Sequence, residues 1–117
     1  MENFKQETVD VLNKFKKNIE DVKWCGSEEW GYFSIQEFLE IADFDYSSGF
    51  GSQKIAKDLL IVGTDWWLER REYDGSEWWE FNTFPLKPEK ANKPKTLCNG
   101  GMWETLSKMN TEDNELK

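Results

Sequence analysis

The sequence predicts an α+β fold: two N-terminal helices, a three-stranded antiparallel meander, and a short C-terminal helix. Three observations predict it. Apolar residues recur at helical spacing over the first forty positions. The pattern then shifts to extended, strand-like runs between Leu59 and Phe84, and Asp74-Gly75 supplies the turn dipeptide that closes a two-residue hairpin.

The first helix is expected over Asn3–Trp24, where Phe4, Thr8, Val11, Phe15, Ile19 and Val22 form one apolar stripe at steps of three and four. Asn3 is placed to cap it, with Gln6 three residues on, and Cys25-Gly26-Ser27 ends it. A second helix begins at Ser34, because Ser34-Ile35-Gln36-Glu37 is a capping-box sequence behind Phe33. Ile35, Phe38, Leu39 and Ala42 mark its buried side. A Ser- and Gly-rich loop follows from Asp45 to Ser52, with Phe50 its odd apolar member. Gly49 to Lys54 lacks the spacing of a phosphate-binding loop and reads as a connector.

Leu59–Val62 is the first strand, Trp66–Tyr73 the second and Glu77–Phe84 the third, stopped by Pro85. Residues 86–96, with Pro88, Pro94 and four Lys, form a basic linker within a single domain over residues 1–110. Met102–Met109 is a short helix carrying Trp103, and residues 111–117 a flexible acidic tail.

At 117 residues the chain has the length of one ordinary domain. Seven Trp and eight Phe give that domain much apolar area from few positions. No apolar run has the roughly 18 residues of a membrane helix, and no signal-peptide pattern opens the chain, so a cytoplasmic location is expected. The two cysteines, Cys25 and Cys98, then read as free thiols.

The chain has no His, which excludes Ser-His-Asp, Cys-His and His-metal chemistry. No carboxylate pair stands out from the general acidity. No cofactor, no metal and no enzymatic activity are therefore expected. From Glu28 to Glu80 thirteen acidic side chains face four basic ones, a local charge of −9. That field opposes direct nucleic-acid binding and steers the chain toward a basic protein surface.

The hairpin supplies the candidate site. Side chains alternate along a strand, so Trp66 and Trp67 point to opposite faces, as do Trp78 and Trp79. A turn at Asp74-Gly75 pairs Tyr73 with Ser76. One face then holds Trp66, Leu68, Trp79 and Phe81, the core side. The other holds Trp67, Glu69, Arg71, Tyr73, Trp78 and Glu80, with Arg71 opposite Trp78 and flanked by the two Glu. Trp, Tyr and Arg are the types that dominate binding hot spots. This second face is either a partner-binding surface or a second core covered by the N-terminal helix or by the helix of Trp103.

The run Leu60-Ile61-Val62-Gly63-Thr64-Asp65-Trp66-Trp67-Leu68-Glu69-Arg70, continuing through Glu72-Tyr73-Asp74-Gly75-Ser76-Glu77-Trp78-Trp79-Glu80-Phe81, resembles small uncharacterised proteins of phages and prophages in low-GC Gram-positive bacteria. By type, though with no motif in common, such proteins are similar to anti-CRISPR and other anti-defence inhibitors. The resemblance implies a non-catalytic inhibitor or adaptor acting in the cytoplasm of a bacterial host cell. Its partner would be a protein with a basic surface, such as a nuclease or another nucleic-acid-binding protein. A monomer or weak homodimer is expected, with no membrane. The second reading is a small-ligand or carbohydrate-binding module that uses an exposed Trp platform.

Overall fold

The computed structural model describes residues 1–49, 51–98 and 104–111. Its elements run β1 (Glu2–Asn3), α1 (Phe4–Lys14), a single 3-10 turn (Ile19–Asp21), β2 (Trp24–Ser27), β3 (Gly31–Phe33), α2 (Ile35–Ile41), β4 (Asp45–Tyr46), β5 (Leu60–Val62), β6 (Trp66–Tyr73), β7 (Ser76–Thr83) and α3 (Leu106–Asn110). The chain divides into two compact units, Met1–Pro85 and Leu86–Lys117. Among the described residues no helix is long and apolar enough to cross a membrane.

The first helix is shorter than its sequence pattern. Asn3 caps it as expected, its side-chain oxygen accepting the Gln6 N–H at 2.9 Å. The helix then stops at Lys14 because Lys16 takes a left-handed conformation, φ 61°. The Lys16 N–H donates to the Asn13 carbonyl and the Lys17 N–H to that of Leu12. This paired closure satisfies carbonyls that the helix end would otherwise leave bare. The stripe predicted through Val22 is cut there, and the chain reverses. In α2 the capping box forms in both directions: Ser34 Oγ accepts the Glu37 N–H and the Glu37 carboxylate accepts the Ser34 N–H.

The predicted three-stranded meander behind two N-terminal helices is not the observed architecture. The sheet has five antiparallel strands in the order β3-β2-β5-β6-β7, and β1 pairs separately with β4. The two added strands come from residues 24–33, where the sequence reading ended the first helix at Cys25-Gly26-Ser27 and placed no element before Ser34. Here Cys25 pairs with Ile61 on one side and with Phe33 on the other. Glycine makes the narrow β2–β3 hairpin possible. Gly26 sits at φ 140°, and a Cβ there would lie 2.0 Å from the Gly31 carbonyl oxygen.

The β6–β7 ribbon keeps its predicted register. Asp74 and Gly75 both have positive φ, 53° and 88°, and Tyr73 faces Ser76. Cross-strand partners share a face, so the sheet has an inner row Phe33–Cys25–Ile61–Leu68–Phe81. Cys25, Ile61 and Leu68 in that row are fully buried. The helices cover this inner face. Phe4 of α1 stacks on Trp79 with ring centroids 5.6 Å apart, meets Phe38 of α2 edge-on, and Phe15 stacks on Phe81 at 4.2 Å. Of these, Phe4, Phe38 and Trp79 are buried, and each stabilises by about 1.5–3 kcal/mol.

The second unit is organised around α3. Thr105 caps the helix by accepting the Lys108 N–H. The Asn110 side chain accepts the Lys95 and Thr96 N–H groups and donates to the Thr96 carbonyl. The Pro88–Pro94 stretch expected as a linker belongs to this unit. Phe50, Met102, Trp103 and residues 112–117, to which the sequence reading assigned a loop tip, a helix start and a tail, lie outside the described residues.

Candidate protein-docking face

All six residues singled out in the sequence lie on the outer face of the sheet, opposite the helices. Trp67, Glu69, Arg71 and Tyr73 alternate along β6, with Trp78 and Glu80 on β7; Arg71 pairs with Trp78, and Glu69 with Glu80. Tyr73 is 75% exposed and Trp78 42%. The N-terminal helix packs against the other side, so it does not make this face a second core.

The face is organised by charge more than by stacking. Arg71 forms ion pairs with Glu80 and, at 2.8 Å, with Glu69. The hydrogen bond to Glu80, then the charges of Glu69 and Glu80, raise its pKa above the ordinary arginine value. Its expected stacking on Trp78 is replaced by these contacts, because two carboxylates within reach attract a guanidinium more strongly than an exposed indole does. Trp67 is half-buried: its indole N–H donates to Glu69 Oε1 at 2.8 Å and its ring leans on Phe84, centroids 5.1 Å apart. Glu69 thus holds Trp67 and Arg71 in place. Tyr73 and Trp78 are the exposed aromatic members of the set, while the exposed Arg71 is engaged by the two carboxylates.

Beyond the six, the face extends across the whole sheet. One row runs Trp24–Val62–Trp67–Asn82 and the next Tyr32–Gly26–Leu60–Glu69–Glu80. Tyr32 and its neighbour Trp30 are each 82% exposed. The sequence reading missed both because it had no strand at 31–33. The available signal was the alternation Trp30-Gly31-Tyr32, with aromatic residues on either side of Gly31.

The inner face holds an ionic cluster that the sequence reading also missed. The Arg70 side chain is fully enclosed. It donates to Glu7 at 3.1 Å, to Glu77 at 3.0 Å and to the Tyr46 hydroxyl at 3.1 Å. Its guanidinium carbon lies 4.8 Å from the Trp79 ring centroid and 5.2 Å from that of Phe4. Burial works against its charge, but the hydrogen bonds to Glu77 and Tyr46 hold its pKa above the ordinary value. Tyr46 in turn donates to Glu7 at 2.5 Å, and burial followed by that bond raises the phenol's pKa. The Glu77 carboxylate also accepts the Lys54 and Ile55 N–H groups. Both carboxylates are therefore fully engaged in joining α1, β4, β6, β7 and the segment at 54–55.

Cys25 lies on this same inner side, and burial pushes its thiol up to about 12, so it is neither a nucleophile nor a ready metal ligand at neutral pH. Cys98, in the second unit, is exposed. Among the described residues no group of three or more His, Cys, Asp or Glu side chains is arranged to hold a metal ion. No protein-family model matches the chain, and neither a curated protein nor a solved structure matches it.

Proposed function

We propose that the chain is a non-catalytic binding protein whose outer sheet face docks on a protein with a basic, nucleic-acid-handling surface. The observation that supports this reading most is the asymmetry of the sheet. One face carries the core, while the other presents Tyr73 and Trp78 beside Glu69, Glu80 and Arg71, and among the described residues of the first unit no helix packs over it. Large amphipathic side chains held on a rigid ribbon lose little entropy on binding, which suits them as anchors. The −9 charge of the middle segment adds long-range steering toward cationic surfaces and opposes direct contact with phosphates. A chain with these properties inhibits by occupying the surface where a partner would bind nucleic acid. The likeness of its Trp-rich hairpin to phage proteins favours a host nuclease or defence protein as that partner.

Carbohydrate stacking draws less support. Trp67, half-buried against Phe84, does not offer a free platform beside Trp78.

Affinity capture from a bacterial host lysate tests the reading. The expected result is recovery of a nucleic-acid-binding protein, released as salt rises and lost with the Tyr73→Ala/Trp78→Ala variant. Recovery that is indifferent to salt and to those substitutions overturns it.

A further inference from the structure

The β2–β3 hairpin displays two aromatic side chains that the fold does not use. Trp30 and Tyr32 are each 82% exposed. The hairpin is held without them, by the Trp30 N–H donating to Ser27 Oγ at 3.0 Å, by the close Gly26–Gly31 backbone approach, and by pairing of β2 with β5. A turn position such as 30 is satisfied by a small polar residue. Tryptophan there exposes a large apolar area with no gain in folding.

Two depressions flank the hairpin. One is mostly apolar and is bordered by Trp24, Gly31 and Tyr32. The other is bordered by four carboxylates, Glu28, Glu29, Asp58 and Glu69, and by three cationic residues, Lys57, Arg70 and Arg71, of which Arg70 and Arg71 are committed to the ion pairs already described. Glu69 is engaged by Arg71 and Trp67, whereas Glu28, Glu29 and Asp58 form no ion pair among the described residues. Carboxylates without an ion pair and uncommitted aromatic rings thus lie on the same hairpin and its border.

We infer that this hairpin selects the partner: the acidic depression receives an arginine or lysine side chain of the docked protein, and Trp30 and Tyr32 pack on its cationic head or aliphatic stem. The inference rests on the docking reading of the outer face and adds the residues that choose what docks. Carboxylates hydrogen-bond a guanidinium or ammonium, and the negative face of an aromatic ring attracts the same cation. Carboxylates alone accept any cation and an aromatic ring alone accepts any apolar group. Side by side they favour a basic side chain of a protein over an inorganic ion or a lipid chain. Tyr32 shares a cross-strand row with Glu69 and Glu80, so the hairpin and Trp78 stand on one face at opposite edges of the sheet. Four inter-strand spacings separate those edges by about 19 Å. A partner segment that reaches both crosses the acidic middle.

Selection of a displayed library of random 12-residue peptides against the intact protein tests this. The selected peptides are synthesised and titrated into wild type, Trp30→Ser, Tyr32→Ser, the Glu28→Gln/Glu29→Gln/Asp58→Asn variant and Trp78→Ser. All these positions are exposed, and an unchanged thermal midpoint verifies each fold. The expected result is enrichment of Arg or Lys. Affinity should then fall about tenfold or more in Trp30→Ser and in the neutralised variant. Enrichment of non-basic peptides, no enrichment, or wild-type affinity in Trp30→Ser overturns the inference. Loss confined to Trp78→Ser overturns it while leaving the docking face standing, and full affinity in every variant overturns both.

Discussion

Arg70 and Arg71 are neighbours in the chain with opposite fates, and the difference is one step of strand alternation. Arg70 points inward, enclosed between Phe4 and Trp79 and paired with Glu7 and Glu77; Arg71 points outward to Glu69 and Glu80. Removing one member of a buried, hydrogen-bonded charge pair leaves its partners desolvated and unpaired. Arg70→Met is therefore expected to lower unfolding free energy by about 3–5 kcal/mol in urea titrations, while Arg71→Ala leaves the midpoint essentially unchanged. Equal loss in the two variants would contradict the assignment of inner and outer faces. Alternation made the two directions legible in the sequence. That the inward site accepts an arginine was not legible, because its counter-charges arrive from residues 7 and 77, on other elements.

Thiol chemistry separates the cysteines in the same way. Cys25 is buried and protonated, and Cys98 is exposed. Titration with an aromatic disulfide reagent is expected to show one fast thiol in the native protein, lost in Cys98→Ser, and a second only on unfolding.

Among the elements, helix ends show the balance between local signal and long-range demand. Asn3 and Ser34 cap as their sequence context predicts, because a cap needs only the next three residues. The C-terminus of α1 is different. Its apolar pattern continues past Lys14, yet the chain turns at Lys16 in a left-handed conformation that costs a non-glycine residue about 1–2 kcal/mol. Lys16→Gly relieves that conformation, and a net stabilisation of about 0.5–1 kcal/mol by thermal melt is expected once glycine's greater unfolded-state entropy is subtracted. A neutral or negative effect would mean that the Lys16 side chain makes a compensating contact. The strain is held because β2 must enter the sheet between β3 and β5, where Cys25 sits buried between Phe33 and Ile61 in the inner row.

Over the whole molecule, the arrangement of layers gives the chain two differently charged environments and a defined response to alkali. Burial raises the Cys25 thiol to about 12 and, with the Glu7 bond, raises Tyr46 as well. A group whose pKa is raised by folding contributes fully below its unfolded value and loses that contribution as pH climbs toward the folded one. Stability is therefore expected to fall above about pH 9, where the unfolded thiol ionises, and more steeply above about pH 10, where the unfolded phenol does too, each at a slope of at most ~1.4 kcal/mol per pH unit. Denaturation at pH 8 and at 10.5 measures it. Cys25→Ala should lower the baseline yet flatten the slope, and an unchanged slope would show that the thiol does not carry the effect.

Taken by itself, the sequence determined the mixed α+β class, the helix caps, the Asp74-Gly75 turn and the two-faced character of the ribbon beyond it. Each depends on interactions between residues a few positions apart, or on the invariant alternation of a strand. Only the tertiary structure decided where α1 stops, that residues 24–33 add two strands to the sheet, that Arg70 is buried with its charge, and that Tyr32 shares a face with Trp78 while Trp30 sits exposed at the turn beside it. Those outcomes turn on partners far along the chain: Ile61 for Cys25, Glu7 and Glu77 for Arg70, and a backbone contact between two glycines. Short strands bury too little area to announce themselves locally, and a charge finds its counter-charge only after the layers have closed around it.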